Sequence, residues 1–115
     1  MAEAFNTANI AVTSSEQLLY TAPSADAADV AIIISLRVTN VDGTADDTVT
    51  CTIYQSDGTT KKAEIAHTMT VPADSSLELA GTSKLVLESG EQIKITGAAA
   101  SGDLEAYLSA LEITV

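Results

Sequence analysis

An all-β sandwich or small barrel is the fold class this chain predicts, and three observations predict it. Apolar residues recur at a period of two through most segments, as half-buried strands require. Turn residues punctuate the chain about every 8–12 residues, the spacing of short antiparallel strands. Finally, no stretch needs a helix of ordinary length to account for its pattern. The alternating segment Val30 to Asn40 (V-A-I-I-I-S-L-R-V-T-N) sits at the centre of this reading. Its even positions Val30, Ile32, Ile34, Leu36 and Val38 are all large and apolar, while the odd ones relax from Ala31 and Ile33 to Ser35, Arg37 and Thr39. A first half that is apolar on both faces marks an inner strand whose outer end meets water.

The other elements follow in order. Residues 1–8 show no periodicity and read as an N-terminal arm, with residues 9–115 as the single sandwich domain. Asn9 to Thr13 alternates and forms a first short strand; Ser14-Ser15-Glu16 turns the chain. Gln17 to Ala22 is a strand stopped by Pro23, which cannot donate to a ladder. Small polar residues from Ser24 to Asp29 lead into the central strand. Val41 to Asp47 is the strongest turn, because Asp42-Gly43 suits a tight reversal with positive φ. Thr48 to Gln55 alternates with Val49, Cys51 and Ile53 on one face. Ser56-Asp57-Gly58 turns again, and Lys61 to Val71 follows, broken by Pro72. Leu77 to Leu79 and Lys84 to Leu87 are brief apolar pieces. Glu88 to Glu91 turns into Gln92 to Thr96, and Gly97 to Asp103 is a small-residue loop. In Leu104 to Val115 the leucines at 104, 108 and 111 fit a helical stripe, yet Leu111, Ile113 and Val115 alternate. A strand with a register change near Ser109, where apolar parity switches, accommodates both.

Composition narrows the function. Sixteen acidic against five basic residues give a net charge of −11, and the isoelectric point is near 4.1. Such a surface repels phosphate backbones and anionic membranes, since nucleic-acid binding draws on clustered Lys and Arg. No apolar run approaches the ~20 residues that span a bilayer. Hydrophobic residues make up 46% of the chain, enough for a core, but Phe5, Tyr20, Tyr54 and Tyr107 are its only aromatics. That is a poor stacking platform for bases or sugars. Cys51 is alone, so neither an intrachain disulfide nor a cysteine-based metal site is expected. The first residues lack the basic and apolar regions of a secretion signal, so synthesis and folding in a cytoplasm are expected.

Catalytic constellations are hard to find. His67, the only histidine, lies between Ile65 and Met69 on one strand parity and reads as half-buried with a hydrogen-bond partner. Cys51 reads as a small buried hydrophobe. The acids around Gly43 could offer oxygens to Ca²⁺, but their spacing is not that of an EF-hand, and turn chemistry explains them. No cofactor, no metal and no catalytic residue is expected, and the chain is not expected to be an enzyme.

A family resemblance goes further. L-L-Y-T-A-P (Leu18 to Pro23) precedes a long strand ending V-T-N (Val38 to Asn40) and then T-V-T-C-T-I (Thr48 to Ile53). V-P-A-D-S-S-L-E-L (Val71 to Leu79), L-V-L-E-S-G-E-Q-I-K-I (Leu85 to Ile95) and A-S-G-D-L-E-A-Y-L-S-A-L-E-I (Ala100 to Ile113) complete the order. From about Gln17 to Ile113 this pattern resembles the small β-sandwich virion proteins of tailed bacteriophages, which decorate heads or attach to tails. The resemblance implies a single immunoglobulin-like antiparallel sandwich of about eight or nine short strands. It implies a capsid decoration (cement) protein on the outside of the head shell, made in the bacterial cytoplasm and acting without turnover. Its partners would be the major capsid protein or other virion proteins, with a homo-oligomer, a trimer by expectation, as the working form. A tail, neck or baseplate component and a carbohydrate- or receptor-binding adhesin module are the alternatives. Phe5, Asp42, Asp46, Asp47, Ser101 and Asp103 are the expected partner contacts, because none has a place in the core.

Overall fold

A computed structural model describes residues 1–80, 84–99 and 103–115. The strands among them are β1 (Ala2–Val12), β2 (Gln17–Thr21), β3 (Val30–Asn40), β4 (Asp47–Tyr54), β5 (Lys61–Val71), β6 (Ser76–Glu78), β7 (Leu85–Glu88), β8 (Gln92–Gly97) and β9 (Leu104–Thr114). They build two antiparallel sheets. In the first, β1, β9 and β3 lie side by side, and β6 and β7 sit end to end along the far side of β3. The second runs β2-β8-β4-β5.

The sandwich expected from the alternation is present, and its strand order makes it more specific. Ala2 faces Thr114, Thr21 faces Gln92, Val30 faces Glu88, Thr39 faces Ser76, Asp47 faces Val71 and Tyr54 faces Lys61. Every pair nests inside the previous one and closes on the turn at Asp57-Gly58. The chain is in effect one long hairpin rolled up, which is the double-sheet jelly roll. An immunoglobulin path, with sheets ABED and CFG, connects the same two layers differently. At the tip, Gly58 takes φ +74°, a conformation that costs a residue with a Cβ. Asp57 accepts the backbone N–H of both Thr59 and Thr60. Asp42-Gly43, expected to reverse through positive φ, does not use it; among the described residues the glycines that do are Gly58 and Gly90.

Residues 1–8 are not an arm. Ala2 to Val12 pair with Thr114 to Leu104 without interruption. Backbone hydrogen bonds to β9 hold this segment, and they need no side-chain pattern to form. That is why a sequence with small and polar residues on both faces showed no period.

β3 changes the face it turns inward partway along its length. Ala31, Ile33, Leu36, Val38 and Asn40 are buried, so inward parity is odd before residue 34 and even after it. The ladder to β9 slips between Ile33 and Ser35, which leaves Ile34 as an extra residue on β3. The register change expected on β9 near Ser109 is therefore at the same level, Ser35 facing Ser109, but on the neighbouring strand. β9 keeps one parity, burying Leu104, Ala106, Leu108 and Ala110.

The core between the sheets is aliphatic. Val12, Leu36, Val38, Leu104 and Leu108 meet Val49, Cys51, Ile93 and Ile95, all with no exposed surface. Burying side chains of this kind is worth roughly 1.5–3 kcal/mol each, the main force holding the sheets together. Where the ladder on the far edge of β3 breaks between β6 and β7, side chains substitute for it. Glu78 accepts Leu36 N–H at 2.7 Å and the Ser35 hydroxyl at 2.8 Å, and Lys84 Nζ donates to the Ile34 carbonyl.

Candidate functional site

The outer face of the first sheet is built by the residues that the register leaves pointing away from the core. Because Ala31, Ile33 and Ala110 point in, Val30, Ile32, Leu111 and Ile113 point out. Cross-strand partners then place Phe5 beside Leu111, Leu111 beside Ile32, and Ile32 beside Val86. One apolar row thus crosses four strands, with Phe5 79% and Val86 56% exposed at its two ends. The neighbouring row is Glu3, Ile113, Val30 and Glu88. Cross-strand apolar pairs stabilise a sheet by roughly 0.2–1 kcal/mol each, but that does not account for aromatic and β-branched side chains left open to water.

Further along the same face Asn9 lies beside Tyr107, and Tyr107 beside Arg37. Together with Thr39 and Glu105 they line a shallow groove of about 570 Å³. Arg37 is the only arginine of the chain. It is exposed and, among the described residues, makes no hydrogen bond or ion pair. Tyr107 is 51% exposed and its hydroxyl is likewise without a partner there. Under this sheet the polar groups are satisfied: Tyr20 donates its hydroxyl to Glu112 Oε2 at 2.5 Å and Asn6 Nδ2 donates to the same oxygen at 3.2 Å. Burial, then the Glu112 carboxylate, pushes the Tyr20 hydroxyl above its ordinary pKa.

The outer face of the second sheet is different in kind. Thr48 faces Thr70 and Thr50 faces Thr96 across strands. Lys94 Nζ donates to the Gly58 carbonyl at 2.7 Å and lies 4.6 Å from the centre of the Tyr54 ring. The Tyr54 hydroxyl donates to Glu16, and Lys61 pairs with Glu64 at 3.0 Å.

The expected contact residues separate. Asp42, Asp46, Asp47 and Asp103 gather at the end of the sandwich where Val12 faces Leu104, with the Phe5 row at the opposite end of β1. Asp42 Oδ1 accepts Thr44 N–H, the Thr44 hydroxyl and Ala45 N–H, and the Thr44 bonds hold its carboxyl below the usual range. Asp46 accepts Ala73 N–H, and the Asp103 carbonyl accepts Val41 N–H. Asp47 is a correction: it is buried, and its Oδ1 braces two loops by accepting Thr48 N–H at 2.7 Å and Ala98 N–H at 3.0 Å. Ser101 lies outside the described residues. Among the described residues no group of three His, Cys, Asp or Glu side chains is arranged to hold a metal ion. Sequence reading missed Arg37, Tyr107, Leu111, Ile32 and Val86; for Ile32 and Leu111 the second apolar parity of β3 and β9 was the signal.

The two reactive side chains sit as follows. Between Thr50 and its surroundings β5 carries an extra residue, with Thr68 at φ +49° donating its N–H to the Thr50 hydroxyl. This bulge turns His67 outward, so it is exposed and not half-buried, and its Nδ1 lies 2.7 Å from Glu64 Oε2. Cys51 is buried, and burial pushes its thiol up to about 12.

Fold and face together define a jelly-roll module with one unpartnered sheet face. No family model and no curated protein sequence matches the chain. Among solved structures it is similar to a subunit of Bacillus endospore appendages, described as disulfide-linked pili, with TM-score 0.61 and 15% identity. That likeness covers 99% of this chain and 88% of the other. It is also similar to capsid proteins of infectious bursal disease virus, one from the T13 particle (TM-score 0.56, 10% identity) and one from the Gx strain (TM-score 0.54, 11% identity). The chain spans about a third of those viral proteins, 31% and 30%. At such identities the fold is what is shared.

Proposed function

We propose that this chain is a structural virion protein of a tailed bacteriophage, a decoration (cement) protein that binds the outside of the head shell as an oligomer and performs no turnover. The observation that carries the reading is the unpartnered outer face of the first sheet. An acidic molecule whose only guanidinium and a tyrosine hydroxyl share one groove, with no hydrogen-bond partner among the described residues, offers there two of the residue types enriched at binding hot spots. Arg37 would take a carboxylate of a shell subunit in a bidentate bond. The jelly roll is the fold of capsid and appendage subunits that work by shape, which supports the same role. The appendage pili are disulfide-linked; Cys51, buried and with a raised thiol pKa, suits non-covalent attachment instead.

Co-sedimentation of the purified protein with expanded empty shells and with procapsids tests the reading. Binding to expanded shells, reduced at least about tenfold by Arg37→Glu, is the expected result. Binding to tails and not heads would move the assignment to a tail, neck or baseplate component. Binding to neither would remove it.

A further inference from the structure

The four sheet edges of the sandwich are not equally guarded. An exposed edge presents unpaired N–H and C=O groups, and proteins blunt such edges with charges, proline, bulges or short strands. β5 carries Lys61, Lys62 and Glu64 and the bulge at Thr68. β2 has five residues, a register slip between Leu18 and Tyr20, and Pro23 close behind. The edge beyond β3 is split between β6 and β7, with Glu78 and Lys84 filling the gap. β1 has only the weakest of these devices, a single charge near its start. It runs eleven residues without a slip, holds no proline, lysine or arginine, and carries one charge, Glu3. Ala2 to Thr7 are exposed, and nothing among the described residues covers them.

We infer that the β1 edge pairs with the β1 edge of a second copy of this chain, antiparallel and two-fold, centred on Phe5. The strand is self-complementary in that register. Phe5 meets Phe5 of the second copy, Ala4 meets Asn6, Glu3 meets Thr7 and Ala2 meets Ala8, so no like charges are opposed. The apolar row Val86-Ile32-Leu111-Phe5 continues into its two-fold image, which covers both rings. Electrostatics favour the same register. The acids at 42, 46 and 103 lie at the Val12 end of each sandwich, about seven residues or ~24 Å from Phe5. An antiparallel pair centred on Phe5 sends these two acidic ends in opposite directions, the arrangement that least opposes association of two chains of charge −11. This inference does not rest on the virion reading and holds on or off a particle.

Sedimentation of the purified full chain together with cysteine placement tests it. With Cys51 buried, a new surface thiol is the one able to cross-link. The wild type is expected to sediment as a dimer, and Phe5→Glu as a monomer with unchanged far-ultraviolet circular dichroism, its dissociation constant raised at least about tenfold. Under mild oxidation Phe5→Cys gives a disulfide-linked dimer. Thr7→Cys, on the same face but ~13 Å from its own image, does not, since a disulfide needs Cα atoms within about 7 Å. A wild type monomeric up to about 1 mM, a trimer or an open-ended series of oligomers, or Thr7→Cys cross-linking as readily as Phe5→Cys would each overturn the inference.

Discussion

On the outer face of the β2-β8-β4-β5 sheet, Lys94 is held by the Gly58 carbonyl and the Tyr54 ring, Tyr54 by Glu16, and Lys61 by Glu64. On the outer face of the β1-β9-β3 sheet, Phe5, Val86, Tyr107 and Arg37 stand in the same kind of lattice with no such partners among the described residues. Both faces obey the alternation of a strand, and both back onto the same core. One surface closes its own bonds with threonines and paired charges, whereas the other is left as apolar rows and a lone guanidinium. Strand alternation alone therefore does not decide whether an outer face closes its own polar bonds or stays open; here the two sheets differ in that respect.

Four measurements test that contrast. Largest are the inner faces, where the sheets are alike: Leu36→Ala in the first and Ile93→Ala in the second should each cost about 2–5 kcal/mol in urea unfolding. A much smaller loss at either would mean the two layers do not share one core. Next is Leu111→Lys on the open face, expected to lower stability by about 1 kcal/mol or less while abolishing self-association in sedimentation. A stability loss as large as that of Leu36→Ala would show the row to be core. On the closed face Lys94→Met should cost about 0.5–1 kcal/mol through the lost contact with Tyr54 and leave association untouched. The smallest effect is at the hairpin tip. The Thr60 and Thr59 bonds lower the Asp57 carboxyl from its ordinary 3.8 to about 2. A depressed carboxyl stabilises the fold above its unfolded pKa, and that contribution is lost as pH falls from there through the folded value. Carboxyl titration by NMR should place Asp57 near 2, and Asp57→Asn should remove the associated loss of stability below pH 3.8.

Much of the fold was legible because alternation is local. The strand spans from Gln17 onward, the Pro23 and Pro72 breaks and the strand character of the last segment all follow from residue types within a few positions. Where reading failed, the deciding contact was distant in sequence. β1 is a strand because β9, about a hundred residues away, supplies its ladder. His67 is exposed because a bulge opposite Thr50 turns it. The switch of parity at Leu111, Ile113 and Val115 is visible in the sequence, but it marks an apolar outer surface and not a slip in the register of β9. Asp47 looked like a turn acid of the same sort as Asp42 and Asp46; only the approach of Ala98 shows it bracing two loops.

By itself, then, the sequence determined which segments are strands, where turns interrupt them, and that aliphatic side chains would fill a two-layer interior. Those properties depend on φ/ψ preferences and on a period of two, which neighbouring residues carry. Only the tertiary structure decided which parity of a doubly apolar strand faces the core, since one extra residue at Ile34 exchanges inside for outside. It also decided which edge is left open. Pairing of strands far apart in the chain is a property of the whole ladder, and no local pattern encodes it.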